Sequence, residues 1–427
     1  MTNKSNKYDI LIVGGGTAGC ACAYTAAKKG LKVLLIEQNS FLGGSITSSL
    51  VVPAMKTSDN AINTEFYNVL YKELHDINGA STYSDGNNGW FNPELTKIIL
   101  DKLLISVGVN MLFESSINKI KKELSSYIVT LCNNNLFCVP GDNLLIHIES
   151  NFIVDTTGDA KICKMLNYDF LSADENLSQP VSLRFIMSGI NINKFSEWLL
   201  NFDPDRSVTS SCNTDNNEVL LSTAYTWDDR REWALKPIFA QGIADGLITE
   251  EDSNYFQIFS VSGTHDSVAF NCPRLLDISL NRTQLYIEGR KSVYRLSAFC
   301  KKYFPGFENS YISSIANSLG VRVSNRVRGK YVYTKSDLIS GKKFDNPVVI
   351  SNYPIDIHSS QQNSSKLEQV NQEYQLPIES LIVDDNLFVA GRCISADFEA
   401  QAALRIIPSC FSMGEGLAKY ISKLING

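Results

Sequence analysis

Short apolar runs alternate with helical patterns at both ends of the chain, and the first of them begins at residue 8. Residues 8–13 form a β-branched run that is typical of a buried parallel strand. A helix rich in small residues is predicted from about residue 18 to 29, where Gly30 is suited to end it. Residues 31–36 form a second apolar run. The start of the chain is therefore predicted to be a strand–helix–strand unit.

Further elements are predicted in the following hundred or so residues. They are helices at 64–75 and 92–107, a strand at 109–113, a small antiparallel meander over 117–148 and a strand at 153–155 that returns to the central sheet. Asn92 is the expected N-cap of the second helix, because Pro93 follows it at a position that tolerates proline.

The character of the sequence changes between residues 179 and 343. Long β-prone runs appear there among charged segments, and residues 285–304 are predicted to form a helix that ends before Gly306. Beyond this region, residues 386–392 form another apolar strand with a glycine turn. A last helix is predicted to begin near Pro408. We interpret the middle region as an inserted domain that supplies one wall of a substrate pocket.

Composition restricts the class of protein. A hydrophobic fraction of 44% with 20% charged residues is typical of a soluble globular protein. The net charge of −6 and the lack of a basic run argue against a nucleic-acid partner. No apolar stretch approaches the roughly 20 residues of a membrane helix, and no signal peptide is recognised, so we expect a cytoplasmic protein. The cysteines form no C-x-x-C pair and the histidines show no metal-ligand spacing, so no metal site is predicted.

A glycine motif follows the first strand at once. Gly14, Gly16 and Gly19 form a G-x-G-x-x-G, which permits a tight turn, close approach of a pyrophosphate and close packing of the helix on the strand. The helix N-terminus offers N–H groups and a partial positive charge to the phosphates. Glu37 ends the second strand, where a carboxylate can accept hydrogen bonds from both ribose hydroxyls and disfavours NADP. The motif alone is often only a tight turn, but its full context indicates a nucleotide site.

Other turns are expected at the same ligand. Gly43 and Gly44 would allow close approach to a bulkier part of the ligand, or would form a flexible loop. Residues 155–159 end a strand at the ligand edge of the sheet, although Asp159 would equally suit the N-cap of an ordinary turn. The C-terminal strand and helix can bring a second helix N-terminus to a long ligand such as FAD. The predicted cofactor-binding residues are Val13, Gly14, Gly16, Thr17, Ala18, Gly19, Glu37, Gln38, Gly43, Gly44, Ser45, Thr157, Gly158, Asp159, Gly391, Arg392, Arg405 and Ile406.

At these positions the chain resembles a known family. It is similar to the FAD-dependent oxidoreductases of the glutathione-reductase-like superfamily, in the branch with a C-terminal A-G-R-C-I-S-A signature, here residues 390–396. The other matching stretches are residues 12–19, 42–44, 155–159, 305–308, 320–322 and 353–358, with Leu404, Arg405 and Pro408. The resemblance implies FAD as cofactor and an α/β fold. In that fold residues 1–178 and 344–427 form a Rossmann-like FAD-binding domain with a parallel sheet and a small antiparallel meander. Residues 179–343 form an inserted mixed α+β substrate domain.

Two departures from the family pattern fall near the expected flavin pocket. Phe398 stands before Glu399 where the family often has a histidine. Residues 323–326 read Val-Ser-Asn-Arg where the family often has Glu-Thr-Arg-Arg or a close equivalent. A specific activity is therefore not carried over from the family.

The residues available for chemistry are few. The candidate catalytic residues are Arg405, His358, Arg322 and Glu399, with Arg326 beside Arg322 and with His265 on weaker grounds. Arg405 could neutralise a substrate carboxylate or the flavin anion, or could form a structural ion pair with Glu399. His358 could be a base or a satisfied structural histidine. Arg322 and Arg326 could bind an anionic substrate or form a solvated face.

Three functions remain open. Because the chain has one dinucleotide loop and no C-x-x-C shuttle, a flavin would exchange electrons directly with a small substrate, and then with oxygen, a quinone or a separate carrier. The first hypothesis is thus an FAD-dependent dehydrogenase or oxidase. A flavin-dependent monooxygenase or halogenase is the second, although no W-x-W-x-I-P segment is present. The third is a non-catalytic electron-transfer flavoprotein.

Overall fold

The structure is a computed structural model that describes residues 6–133, 145–171, 179–214, 218–225, 233–277, 279–358 and 366–427. The helices are α1 (Thr17–Lys28), α2 (Glu65–His75), α3 (Pro93–Ser106), α4 (Lys161–Met165), α5 (Ile192–Phe202), α6 (Lys236–Ala244), α7 (Glu250–Ser253), α8 (Arg282–Tyr303), α9 (Lys335–Ile339), α10 (Phe398–Leu404) and α11 (Ile407–Asn426). The strands are β1 (Asn6–Val13), β2 (Val33–Ile36), β3 (Ala80–Ser81), β4 (Trp90–Phe91), β5 (Asn110–Leu112), β6 (Ser115–Lys122), β7 (Tyr127–Asn133), β8 (Leu145–Asp155), β9 (Val181–Ser182), β10 (Phe185–Ser188), β11 (Thr209–Asn213), β12 (Val219–Tyr225), β13 (Phe256–Ser260), β14 (Val268–Phe270), β15 (Arg274–Leu275), β16 (Tyr311–Ile315), β17 (Pro347–Ser351), β18 (Ile355–Ile357), β19 (Lys366–Glu368), β20 (Tyr374–Pro377), β21 (Ile382–Asp384) and β22 (Leu387–Val389).

An eight-stranded sheet forms the centre of the fold. Its main order is β21-β22-β8-β1-β2-β5, in which β22, β8, β1, β2 and β5 are parallel, while β7 and β6 join β8 in antiparallel fashion. The two apolar runs predicted at the start of the chain are β1 and β2. Both are near-continuous apolar runs because strands inside a parallel sheet are covered on both faces. The predicted parallel-sheet α/β class is confirmed.

One long strand replaces two that the sequence predicted separately. The end of the meander and the strand at 153–155 are both part of β8. Its first half pairs with β7, where Tyr127 is opposite Ser150, and its second half pairs with β22, where Leu387 is level with Ile153. Residues 134–144, which fall within the predicted meander, lie outside the described residues.

A second sheet lies in the part of the chain that was interpreted as inserted. It has six antiparallel strands in the order β11-β12-β13-β14-β10-β16. Aromatic side chains from β13, β14 and α8 form its own core, in which Phe256 contacts Phe270 and Phe299 contacts Phe304. The helix predicted at 285–304 is α8. The domain boundaries at residues 178 and 343 stay a prediction.

The C-terminal helix packs on the first strand–helix–strand unit. A Cβ on Gly414 of α11 would lie 2.1 Å from the Ala18 carbonyl oxygen, so only glycine allows α11 to approach α1 this closely. The sequence did not predict α10, which stands between β22 and α11 with Asp397 as its N-cap. This short helix places Arg405 at the junction of α10 and α11.

Candidate functional site

The carboxyl ends of four parallel strands meet at one edge of the central sheet. Val13 is level with Ile36 on one side and with Asp155 on the other, and Asp155 is level with Val389. The loops that follow these strands border a cavity of about 1280 Å³. Ordinary small-molecule pockets measure about 300–1,000 Å³. This cavity therefore has room for a dinucleotide together with a small substrate.

The predicted glycine loop lies at the middle of this edge. Gly14 has φ +108°, and a Cβ there would lie 2.6 Å from the Thr156 carbonyl oxygen. A Cβ on Gly19 would lie 2.0 Å from the Gly14 carbonyl oxygen, so α1 packs directly behind the loop. A Cβ on Gly44 would lie 2.8 Å from the Cα of Gly16, whereas a Cβ on Gly16 would meet nothing closer than 3.9 Å. The loop thus stays open towards the cavity at Gly16.

The first turn of α1 borders the same cavity. Gly16 is the N-cap residue and provides no side-chain hydrogen bond, and no acidic residue lies in the first turn. Thr17 and Ala18 line the cavity. The first N–H groups of a helix lack partners within the helix and carry a partial positive charge, which favours phosphate. This loop therefore fits a pyrophosphate.

Glu37 is fixed at the end of β2, where 7% of the residue is exposed. Its Oε2 accepts a hydrogen bond from Gly15 N at 2.7 Å, and its Oε1 accepts two from Asn39, from the backbone N and from Nδ2, each at 2.8 Å. Burial raises the pKa of this carboxyl, and the hydrogen bonds from Asn39 and Gly15 oppose the shift. A carboxylate has about four acceptor positions. One therefore remains for a ribose hydroxyl, and a second requires the Asn39 side chain to move.

Two turns that are far apart in the sequence contact each other at this edge. Arg392 Nη2 donates to Asp159 Oδ1 at 2.6 Å, and Arg392 Nε donates to the Gly158 carbonyl oxygen at 3.0 Å. Asp159 is therefore an ion-pair partner and not the N-cap residue of α4, a position that Ala160 occupies. Asp155 takes over the capping, because its buried Oδ2 accepts from the backbone N–H groups of Ile162 and Cys163.

Most of the predicted cofactor residues border the cavity. They are Val13, Gly14, Gly16, Thr17, Ala18, Glu37, Gln38, Gly44, Ser45, Thr157, Gly158, Asp159, Gly391, Arg392, Arg405 and Ile406. Gly19 and Gly43 lie behind the lining. Gly43 N donates to the Gly15 carbonyl oxygen at 2.8 Å, which holds the second glycine pair against the first loop.

A second group of residues at the cavity carries positive charge. We call Arg184, Arg274, Arg322 and Arg405 the arginine wall. Arg184, Arg322 and Arg405 line the cavity, and Arg274 lies behind them, with its guanidinium carbon 3.2 Å from the centre of the Tyr255 ring. Burial lowers the pKa of Arg184 to about 10 and holds that of Arg322 well below its usual range, and neighbouring guanidinium groups lower both further. The four positive charges therefore lie within electrostatic reach of one another.

Asp356 is the carboxylate of this wall. Arg405 Nη2 donates to the Asp356 carbonyl oxygen at 2.9 Å and to its Oδ2 at 3.2 Å. Burial alone would raise the pKa of Asp356, but the hydrogen bond from His358 and the charges of Arg405 and Arg322 hold it far below its usual range, so the group is ionised. The alternative ion pair of Arg405 with Glu399 is not formed. The two residues lie six positions apart along α10 and its end, whereas a shared helix face needs a spacing of three or four.

His358 is held on both sides by the protein. Arg274 Nη2 donates to His358 Nδ1, so the ring proton is on Nε2, which donates to Asp356 Oδ2 at 3.1 Å. Burial and the Arg274 charge hold the pKa of His358 well below its usual range. His358 is thus neutral and both of its nitrogens are engaged. The geometry supports a structural role for His358, because neither ring nitrogen is free to act as a general base.

Three other candidates lie away from the cavity lining. Glu399 pairs with Lys335 at 2.6 Å near the surface. Arg326 Nη1 donates to the Ala396 carbonyl oxygen at 2.9 Å and is buried. His265 is exposed in a left-handed turn with φ 56°. None of these three side chains borders the cavity, so the structure gives none of them a role in binding or catalysis there.

Sequence reasoning missed Arg184. It lies between Leu183 and Phe185 in one of the β-prone runs of the middle region, whose other members are apolar or small. A single arginine inside such an apolar run was the signal that could have identified Arg184 as a site residue. An arginine is almost never buried without a partner, so a buried one indicates a partner or a ligand. Its neighbours in the cavity, Tyr255 and Asn271, carry no comparable signal.

Two other kinds of site were sought in the described part of the chain. No group of three or more histidine, cysteine or acidic side chains there is arranged to hold a metal ion. No helix in that part combines the length and the apolar character needed to cross a membrane.

Fold and site together define a protein that binds a dinucleotide at the carboxyl edge of a parallel sheet. Residues 9–422 match the model of a family described as FAD dependent oxidoreductase, so the chain belongs to the FAD-dependent oxidoreductases. The predicted enzyme class and the predicted cofactor, FAD, are thereby confirmed.

Individual proteins match over shorter segments or with low identity. Mitochondrial glycerol-3-phosphate dehydrogenase of Rattus norvegicus is 35% identical over 78 residues, which are 17% of this chain and 11% of that protein. Cinnamate reductase of Clostridium sporogenes is 46% identical over 65 residues, 15% of this chain and 10% of that protein. These matches span about a tenth of each relative's length. The solved structure of p-nitrophenol 4-monooxygenase PnpA from Pseudomonas putida aligns with 99% of this chain and 81% of its own, at 10% identity and a TM-score of 0.49.

We expect Glu37→Ala to weaken FAD retention. The variant loses the acceptor for the ribose and also the bonds that hold Gly15 and Asn39. A hydrogen bond to a charged acceptor contributes about 1.5–3 kcal/mol, so FAD affinity should fall roughly 10- to 100-fold. FAD content after dialysis, measured by absorbance, checks this, with the exposed Glu251→Ala as control. Full FAD content in Glu37→Ala would contradict the assignment.

We expect His358→Gln to remove part of the acid sensitivity of folding. Because the folded protein keeps His358 neutral, the unfolded chain binds an additional proton below its ordinary pKa of about 6.5. Stability from this group is therefore complete above that pH and is lost as the pH falls, by up to about 2 kcal/mol at pH 5. Glutamine can still accept from Arg274 and donate to Asp356.

Thermal unfolding at pH 7 and pH 5 measures this difference. The fall in unfolding temperature should be smaller in His358→Gln than in the parent protein. The exposed His75→Gln serves as the matched control. Equal falls in His358→Gln and the parent would contradict the neutral state of His358.

Proposed function

We propose that the protein is a dehydrogenase or oxidase that transfers a hydride between a small anionic substrate and FAD. The observation that supports this best is the arginine wall, which borders the same cavity as the glycine loop. When bound, FAD supplies the centre that accepts or donates the hydride. The side chains of the wall then bind the substrate and orient it.

Two arginines are fixed in advance for this task. Arg405 is held by Asp356 through Nη2, and its buried Nε has no partner among the described residues. Arg322 is held through Nη1 by the Pro180 carbonyl oxygen at 2.8 Å and by Ser182 Oγ at 3.0 Å. The remaining N–H groups suit a carboxylate or a phosphate. Since the side chains are already ordered, binding loses little side-chain entropy.

A tyrosine complements the arginines. Tyr353 lines the cavity, and its hydroxyl makes no hydrogen bond within the described part of the chain. Burial raises the pKa of this phenol far above its usual value. Tyr353 would therefore act as a hydrogen-bond donor to the substrate, whereas His358 would act only by positioning Asp356 and Arg274.

Three finer points belong to the same proposal. Electrons would leave the cofactor for oxygen, a quinone or a separate carrier, and residues 179–343 would form the substrate domain. The chain would also belong to the glutathione-reductase-like branch with the A-G-R-C-I-S-A signature. The contact of Arg392 with Asp159 supports this last point, because it gives an arginine of the signature a role at the cofactor edge.

The names of the relatives agree with an anionic substrate. Glycerol 3-phosphate and cinnamate, for which the two curated relatives are named, are both anions. Each match covers less than a fifth of this chain, so the proposal rests on the arginine wall.

The test is reduction of the FAD-loaded protein under anaerobic conditions by a panel of small carboxylates, phosphate esters and neutral analogues. We expect at least one anion to bleach the flavin absorbance without NAD(P)H, and its neutral analogue to leave the absorbance unchanged. Bleaching that requires NAD(P)H would indicate a monooxygenase, and bleaching only by a redox partner would indicate a carrier. Either result would overturn the proposal.

Arg405→Lys sharpens the same experiment. Lysine keeps the charge and loses the two-pronged hydrogen bond, so KM for the active anion should rise roughly 10-fold or more while the flavin potential stays the same. The exposed Arg328→Lys is the control. An unchanged KM would make Arg405 a structural residue.

A further inference from the structure

Two members of the arginine wall have no anionic partner in the part of the chain that the structure describes. Within the described residues, the Arg184 guanidinium makes one hydrogen bond, from Nε to Asn271 Oδ1 at 2.6 Å. The Arg322 guanidinium donates there to the Pro180 carbonyl oxygen and to the Ser182 hydroxyl, both of which are uncharged. In the described ranges no carboxylate lies within ion-pair distance of either guanidinium, and Arg184 Nη1 and Arg322 Nη2 are buried without a partner.

Packing prevents these side chains from turning to solvent. Arg184 is 7% exposed and Arg322 is 5% exposed. A Cβ on Gly320 would lie 2.3 Å from Arg184 Nη1, so the backbone at Gly320 closes over the guanidinium of Arg184. Asn271 holds the other side of the Arg184 group. Both charges are thus fixed at the cavity wall.

Two positive charges of the wall, those of Arg184 and Arg322, are not matched by a carboxylate in the described part of the chain. Four guanidinium groups lie within electrostatic reach of one another, and Asp356 is the carboxylate among them. His358 is neutral and adds nothing. Because Asp356 pairs with Arg405, the positive charges of Arg184 and Arg322 are left without a carboxylate among the described residues. An unpaired buried charge costs several kcal/mol, so such a wall is expected only where a bound anion compensates it.

The expected binding mode of FAD leaves this charge uncompensated. Its two phosphates are expected at the backbone N–H groups of the glycine loop, and a negative charge on the flavin ring would balance only one arginine. At least two further negative charges are needed to match Arg184 and Arg322.

We propose that the substrate is a small dianion, either a dicarboxylate or a phosphomonoester, that is bound by Arg184 and Arg322. This inference rests on the proposed function and specifies its substrate class. Guanidinium groups bind both kinds of anion through paired N–H···O bonds, which fits two forks that are held in place on one wall.

The test is binding to the FAD-loaded protein at pH 8, followed by the change in the flavin absorbance spectrum at constant ionic strength. The probes are oxalate, malonate, succinate, glutarate and methyl phosphate. Succinamate, which has the shape of succinate and a single charge, is the matched monoanion. We expect one of the dianions to bind roughly 10- to 100-fold more tightly than succinamate and acetate. A preference for methyl phosphate over every dicarboxylate would assign a phosphomonoester, and the reverse would assign a dicarboxylate.

Variants link this preference to the two residues. Arg184→Gln and Arg322→Gln should each reduce the ratio of dianion to monoanion affinity to below about 3, whereas the exposed Arg328→Gln should leave it unchanged. Without added anion, Arg184→Gln should also unfold at a higher temperature than the parent, because an uncompensated buried charge has been removed. A lower unfolding temperature together with an unchanged ratio would make Arg184 a structural group and would overturn the inference.

The outcomes also separate this inference from the proposed function. Equal affinity for succinamate and for every dianion would overturn the dianion assignment. If anionic monocarboxylates still bleached the flavin without NAD(P)H, the proposed function would stand without it. If no dianion bound more tightly than acetate and no anion bleached the flavin, both would fall.

Discussion

The close approach of backbone segments at a few glycines is the constraint on which the rest of this structure depends. A side chain at Gly14 would collide with the carbonyl oxygen of Thr156, and one at Gly44 would collide with Gly16. The same applies where α11 meets α1 at Gly414. These contacts bring the first βαβ unit, the end of β8 and the C-terminal helix to one sheet edge. Without these glycine contacts, the N-terminal and C-terminal segments would not both line the cavity.

The cavity that results is lined by two groups of residues with different chemistry. At the glycine loop, backbone N–H groups with partial positive charges face the cavity. They suit a phosphate that is bound without charged side chains. At the arginine wall, the full charges of Arg184 and Arg322 are buried without a carboxylate partner among the residues that the structure describes. Asp356 connects side chains of the arginine wall with one another, because it binds Arg405 directly and reaches Arg274 through His358. A change at one of these groups is therefore expected to disturb the others.

The sequence predicted the parts of the site that depend on local pattern. A glycine motif between an apolar strand and a small-residue helix determines its own geometry, so the loop and Glu37 were identified from neighbouring residues alone. The expectation that the turns around Asp159 and Arg392 lie at the same edge of the sheet also agrees with the structure, because parallel strands end at a common edge.

The points that the sequence left open concern partners that come from distant segments. The sequence could not show that α10 separates Glu399 from Arg405, or that Asp356 is the partner of Arg405. It also could not show that His358 is enclosed by Arg274, which lies more than eighty residues earlier. Arg184 was missed for the same reason, since its meaning depends on which other charges the fold brings near it.

The central claim is that one cavity holds FAD at the glycine loop and an anion at the arginine wall. A crystal structure of the FAD-loaded protein with an active anion tests it most directly. The account predicts pyrophosphate oxygens about 3 Å from the N–H groups at the start of α1, and anion oxygens at a similar distance from Arg184 or Arg322. FAD bound with its phosphates away from the loop, or an anion bound outside the wall while both arginines remain unpaired, would contradict it.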